Sequence, residues 1–394
     1  MTIVAAIDSR KAEAPARSRT SRIARVDIIS DLAAAETAWR ELETQQLATP
    51  YQRFDLLSSW QREVGAREGA LPFIVIAVDA DGRPLMLLPL SIRRENGIRI
   101  ASFMGGKHAT FNMALWDKDF ARDATAADLA VVLSGLRAKD AADVLSFTQQ
   151  PRHWQDFLNP LAVLPSQRSV NDCPVLTMVP GDPPTNRISN SFRKRLKIKE
   201  RKLQSPGYRC HVADSDADIE RLLNWFFHVK PMRMAEQKLP HVFAEPGVED
   251  FLRKACRARL AGGGHAIDIH ALECDDEVIA IFAGVADGHR FSMMFNTYTM
   301  SGRTRYSPGL ILMQHIIDHY AEQRYRALDL GIGSDEYKRL FCKGDEPIFD
   351  SFIPLTARGK IAAVAMSAMS RAKRLVKNNQ LLLQVAQRLR HVFH

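Results

Sequence analysis

One order of elements is written twice along this chain, and that repetition narrows the fold more than any single motif does. In the second half, residues 266–274 read as a strand. Asp275-Asp276 turn the chain into a second strand at 278–285, and Asp287-Gly288 turn it into a third at 291–298. β-rich runs separated by acidic and glycine turns predict an antiparallel meander. A helix at 310–323, a strand at 327–332, a short helix at 335–341 and a closing strand at 348–355 follow. The first half repeats the plan. Its meander covers 73–78, 85–92 and 98–103, turning at Asp81-Gly82 and Asn96-Gly97. A helix at 126–136, a strand at 144–147, a short helix around 153–158 and a closing strand at 175–179 complete it. Helices precede each meander, at 33–42 and 54–64 in one half and at 219–234 and 248–260 in the other. The expected fold class is α/β, with mixed sheets in two tandem units of one plan.

At 394 residues the chain exceeds one typical core, in keeping with two units. Pro180-Gly-Asp-Pro-Pro184 is a linker signal between them. The expected divisions are a disordered leader over 1–25, a first unit over 26–180, a second over 181–357, and a basic amphipathic helical tail over 358–394. No stretch is apolar enough to span a bilayer, and the leader lacks a signal-peptide core. A cytoplasmic location follows, with a transit peptide as the alternative reading of the leader. Cys173, Cys210, Cys256, Cys274 and Cys342 are scattered and form no C-x-x-C pair, so neither a zinc site nor a disulfide framework is expected.

The net charge of +9 is concentrated. One cluster lies on an expected helix at 188–203, with Arg187, Arg193, Lys194, Arg195, Lys197, Lys199, Arg201 and Lys202. Its functional reading is that it holds an anionic substrate between the units; its plainer reading is a solvated face. A second cluster lies in the tail, among leucines and valines. That pattern suits either contact with an anionic membrane at the inner face of the cell envelope or packing back onto the domain.

Ser307-Pro308-Gly309 opens the helix at 310–323. Ser307 suits the N-cap and Pro308 the first helical position. The amides of Gly309, Leu310 and Ile311 are then expected to lack partners at a positive helix end, a natural seat for phosphate. Arg303 and Arg305 just upstream could add charge. Nothing between Phe103 and Ala126 resembles this start, so a phosphorylated ligand is expected in the second unit only.

These elements resemble the GNAT acyltransferase superfamily, and within it the tandem group that includes CelD-type cellulose-biosynthesis acetyltransferases and Fem-type peptidoglycan transferases. The resemblance is carried by residues 54–60, Leu87-Leu-Pro-Leu90, residues 192–203, Tyr306-Ser-Pro-Gly309, Asp329-Leu-Gly-Ile-Gly333, and Tyr337-Lys338 with Phe341. It implies that the turn before the central helix holds the pyrophosphate of acyl-CoA, most simply acetyl-CoA, as co-substrate. Here only Arg305 and Gly309 echo the usual loop, and a proline interrupts it.

Acyl transfer to an amine requires a deprotonated amine, a polarised carbonyl and a stabilised leaving thiolate. The resemblance places a proton-donating tyrosine where Tyr337 stands; packing against Phe341 is the alternative. Asp329, a carboxylate inside a strand, is a candidate base or amine ligand unless an arginine neutralises it. Lys338 is a candidate substrate contact, although a surface lysine is the plainer account, and Asp335 is either a further contact or a helix cap. His315 and His319 are spaced like metal ligands but lack a third, so no metal is expected; His265 and His270 read as structural. The leading expectation is an acyl-CoA-dependent N-acyltransferase acting on a small-molecule amine or a surface-polysaccharide or envelope precursor. The alternatives are a Fem-like transferase using aminoacyl-tRNA, the one nucleic-acid partner considered, and an inactive scaffold for polysaccharide synthesis.

Overall fold

The computed structural model describes residues 21–378 except 45, 46, 276 and 334. The first half runs β1 (Arg25–Ile29), α1 (Leu32–Thr44), α2 (Phe54–Trp60), β2 (Leu71–Val78), β3 (Pro84–Glu95), β4 (Ile98–Phe103) and β5 (Leu115–Trp116). It continues through α3 (Lys118–Asp123), α4 (Ala126–Ala138), β6 (Val144–Pro151), β7 (His153–Trp154), β8 (Phe157–Leu158), β9 (Gln167–Arg168) and β10 (Cys173–Thr177). The second half opens with α5 (Pro184–Arg187), α6 (Asn190–Arg201), β11 (Arg209–Val212), α7 (Asp216–Glu236) and α8 (Val248–Arg257). Then come β12 (Asp268–Cys274), β13 (Glu277–Ala286), β14 (Arg290–Tyr298), α9 (Pro308–Glu322), β15 (Ala327–Asp329) and α10 (Glu336–Phe341). Strands β16 (Gly344–Glu346) and β17 (Ile348–Pro354) lead into α11 (Ala357–Asn378).

Local chemistry accounts for most of these bounds. Asn96 and Gly97 both take positive φ, as the tight turn between β3 and β4 demands. Thr125 and Asp128 form a reciprocal capping box that starts α4. Two expectations fail. The helix expected around 153–158 is the hairpin β7–β8, because buried Trp154 is drawn to the second unit, where its indole N–H donates to Asp287 at 3.2 Å. The leader expected to reach residue 25 gives way earlier: Ile23 is buried and Arg25 opens β1, paired along β2. Residues 1–20, and the part of the expected tail helix beyond Asn378, lie outside the described residues.

The strands form two large mixed sheets, and each half lends a strand to the other. The first sheet has the order β1-β2-β3-β4-β6-β17-β9, with β5 alongside β3; the second has the order β11-β12-β13-β14-β15-β10-β16. The strand expected to close the first unit, β10, therefore sits in the second sheet, with Val175 opposite Asp329 and Cys173 opposite Glu346. The strand expected to close the second unit, β17, lies in the first sheet, with Ile353 opposite Leu145. The division at 180/181 thus cuts through interlocked sheets, and the one at 357/358 falls in the first turn of α11. Alternating apolar residues specify which face of a strand is buried, not which sheet receives it.

The core is shared as well. One continuous apolar cluster joins Trp39, Phe54 and Trp60 to Phe226, Phe251 and Phe295 of the second half, while a second packs α6 and α9 on the other face of β12–β15. Arg67 pairs with Asp250 at 3.0 Å and Lys254 with Glu63 at 2.5 Å across the junction. Gly247, at φ +83°, sits where a Cβ would fall 1.9 Å from the carbonyl oxygen of Glu63. Gly247→Ala should therefore lower stability by about 2 kcal/mol or more. A denaturant midpoint equal to that of the unchanged chain would contradict this packing.

Candidate functional site between the splayed strands

Strands β14 and β15 run parallel for three residue pairs only, ending at Ser292 opposite Asp329, and then part. On its other side β14 shifts register against β13: Ala283 faces Phe295 and Gly284 faces Met293, so Met294 is an unpaired bulge residue. A cavity of about 370 Å³ fills the fork. Residues 293–296 line one wall, residues 330–332 with Tyr337 the other, and Lys107, His108 and Thr110 of the first unit close it.

The point of the fork is fixed by Asp329, and this corrects the expectation of a base. The carboxylate is fully buried and accepts from Arg290 Nε at 2.8 Å, Ser292 Oγ at 2.5 Å and the Gly331 amide at 3.0 Å. Arg290 also donates to Glu346 at 2.8 Å and lies over the rings of Phe111 and Trp154. A carboxylate so engaged is neutralised by Arg290, and it locks two strand ends together. Directly above it, Gly331 has φ +74°, and a Cβ there would meet the Met293 carbonyl at 3.3 Å, so the strands part around a glycine.

Lys338 is buried, not a surface lysine. Its ammonium donates to the Ile332 carbonyl at 2.9 Å and pairs with Asp335 at 3.1 Å, clamping the 331–333 loop. Asp335 itself is exposed and makes no side-chain cap. Tyr337 faces the cavity, and burial first, then the Asp335 charge, push its phenol above the ordinary range, with Asn296 opposing. It is therefore a protonated phenol at neutral pH.

Reasoning from sequence missed His108. It follows Gly105-Gly106, both at positive φ, in the loop after β4, and the glycine pair was the one signal available. The Trp60 indole N–H donates to His108 Nδ1 at 3.1 Å, so the neutral ring carries its proton on Nε2 and is a donor there. Burial lowers its pKa from 6.5 to about 4, with Lys107 adding to the effect. In the unfolded chain this imidazole takes a proton below about 6.5, whereas in the folded protein it does so only near 4. Its contribution is thus complete above pH 6.5 and declines as pH falls towards 4. The stability difference between the natural chain and His108→Asn should change by up to roughly 1.4 kcal/mol per pH unit across that window. A difference independent of pH would contradict a buried neutral histidine.

The expected phosphate seat is only partly as drawn. Ser307 caps α9 in the left-handed region, at φ 57°, and its side chain makes no cap bond. Its carbonyl accepts from both Leu310 (3.0 Å) and Ile311 (3.2 Å), so of the three amides Gly309 alone makes no backbone hydrogen bond of this kind. Ile311 occupies the fourth helical position, where the intrahelical ladder already begins. Gly309 is buried against Tyr298 and Phe282. Arg303 is held by Asp275 and Glu277, and Arg305 is exposed over Tyr306. None of Arg303, Arg305, Ser307, Gly309, Leu310 or Ile311 lines the 370 Å³ cavity.

Helix α6 does not lie between the units. It packs on α9 through Phe192 and Leu196, its arginine Arg193 pairs with Asp318 at 2.9 Å, and Lys199 donates to Ser307 Oγ at 2.8 Å. His315 is bonded to Glu200, and His319 meets His270 edge to face. Among the described residues, His211, Asp218 and Glu273 bring ligand atoms within 4.8 Å of one another. Arg209 and Arg221 bridge that cluster, which makes it an ion-pair network on the β11 edge.

A forked pair of parallel strands, with a helix starting beyond one arm and a tyrosine beyond the other, is the centre of this mixed α/β fold. Residues 190–339 match the family model of the acetyltransferase (GNAT) domain. No curated protein sequence matches the chain. Solved structures share its fold across both units. The C-terminal domain of a protein described as a lysylphosphatidylglycerol synthetase from Agrobacterium fabrum aligns with TM-score 0.52 at 11% identity, covering 87% of this chain and 97% of that one. FemX aligns with TM-score 0.53 at 9% identity, covering 83% and 96%. A conserved protein of unknown function from Bacteroides thetaiotaomicron aligns with TM-score 0.52 at 10% identity, covering 84% and 100%. At these identities the likeness is one of fold.

Proposed function

We propose that this chain is an acyl-CoA-dependent N-acyltransferase whose reaction takes place in the fork between β14 and β15. One observation carries the reading: the strands part directly above a buried Arg290–Asp329 pair, and a protonated phenol, Tyr337, faces the gap. The residues present fit an extended thioester. Gly331 and the Met294 bulge leave main chain open to a polar arm, and Lys199, Arg305 and the Gly309 amide supply positive charge near the start of α9.

In this reading the acceptor amine attacks the thioester carbonyl, the new C–N bond forms as the C–S bond breaks, and Tyr337 passes its proton to the departing sulfur. His108 Nε2–H serves as a donor that orients the acceptor from the first unit. Asp329 holds the fork. The amine proton leaves to solvent. The acceptor is an amine of a small molecule or of a polysaccharide or envelope precursor.

A second reading, transfer from an aminoacyl-tRNA, is favoured by one fact: Leu310 and Ile311 already bond Ser307, which leaves a sparse diphosphate seat. Thermal melting with acetyl-CoA, CoA and aminoacyl-tRNA separates the two. Acetyl-CoA at about a hundred times its Kd should stabilise the fold by about 2.7 kcal/mol. Stabilisation by aminoacyl-tRNA alone would transfer the fork to the second reading, and no response to any of the three would leave a scaffold.

A further inference from the structure

Helix α11 presents two unlike faces. Its inner face is fixed to the first sheet: Ala363 is buried, Ser370 donates to Asp350 at 3.0 Å, Ser367 donates to Gln167 at 2.6 Å, and Arg374 pairs with Asp172 at 3.2 Å. Thr356 Oγ1 caps the start by accepting from the Gly359 amide at 3.1 Å, and Gly359 itself lies too close to the Asp143 carbonyl for a Cβ. The rotation of this helix is therefore set, and its outer face cannot turn inwards.

That outer face is apolar. Ile361, Val364, Met369 and Leu375 are 76%, 70%, 58% and 67% exposed, and Ala365, Ala368 and Ala372 are exposed between them. At helical spacing these residues form a single stripe about 20 Å long. Exposed bases flank it: Lys360 and Arg371 along one side, Arg358 and Lys373 along the other. From Ala357 to Asn378 there is no carboxylate, and none occurs in residues 379–394 either. Arg358 reaches Asp143 at 3.7 Å, whereas Lys360, Arg371 and Lys373 have no acid within ion-pair distance among the described residues.

We infer that this face docks on an anionic lipid bilayer, with the aliphatic stripe in the headgroup boundary and the flanking bases on lipid phosphates. A second copy of the chain fits less well, since two such stripes face to face would bring like charges together. No helix among the described residues is long and apolar enough to cross a membrane, so the contact is peripheral. The inference stands apart from the acyl-transfer reading and needs no turnover to test.

Flotation of the full chain with vesicles provides the test, using phosphatidylcholine alone and phosphatidylcholine mixed with phosphatidylglycerol. Partitioning should be at least about tenfold higher on the anionic vesicles and should weaken with salt. The I361S/V364S/L375S variant and, separately, the K360E/K373E variant should each lose about tenfold or more while melting like the unchanged chain, since all five side chains are exposed. Equal partitioning onto both vesicle types, or none onto either, would overturn the inference. So would a dimer in sedimentation that the triple variant disperses, which would assign the stripe to a second copy.

Discussion

Residues 181–378 produced without residues 1–180 should not fold. In the intact chain β10 lies between β15 and β16, so its removal strips both of a hydrogen-bonded neighbour and exposes the arm of the fork that carries Asp329. The same cut removes the partners of β17, which pairs with β6 and β9 and with no strand of its own half. Phe226, Phe251 and Phe295 would lose the apolar neighbours they share with Trp39, Phe54 and Trp60. Burying a large side chain is worth roughly 1.5–3 kcal/mol, and whole domains are stable by only about 5–15 kcal/mol, so these losses, added to the lost strand pairing, are comparable with the entire stability of the half. Circular dichroism should show no cooperative thermal transition for this fragment, whereas co-expression with residues 1–180 should restore one. A fragment that melts cooperatively by itself would show that the exchanged strands are dispensable.

Tyr337→Phe should reduce turnover by about 10²–10⁴-fold while acetyl-CoA binds within about twofold of the natural affinity. The reasoning is local. The ring lies in the wall of the fork and would still pack as phenylalanine, but the phenol, held protonated by burial, is the proton donor facing the gap. Equal loss of binding and turnover would mean that Tyr337 serves only to shape the wall. An unchanged kcat would remove it from the proton path altogether.

The sequence made the plan of each unit legible because meanders, glycine turns and capped helices are local events. Asn96-Gly97, Thr125 with Asp128, and Ser307-Pro308 each mark a boundary through chemistry within a few residues. The exchange of β10 and β17 was hidden, since nothing in Val175 or Ile353 says which sheet will bury it. Asp329 could be recognised as unusual, but its partner Arg290 lies thirty-nine residues away and its neutralisation is a tertiary fact. His108 was invisible for the same reason: its partner Trp60 is forty-eight residues distant, and the cavity wall it joins belongs to the other unit. Lys338 looked like a surface lysine because the loop it clamps closes only when residues 331–333 turn back on α10.

Hydrogen exchange with and without acetyl-CoA tests the central claim most directly. Slowed exchange should be confined to the amides of residues 293–298, 309–311 and 330–338, the two arms of the fork and the start of the helix beyond it. Protection elsewhere, or none at saturating ligand, would contradict the account.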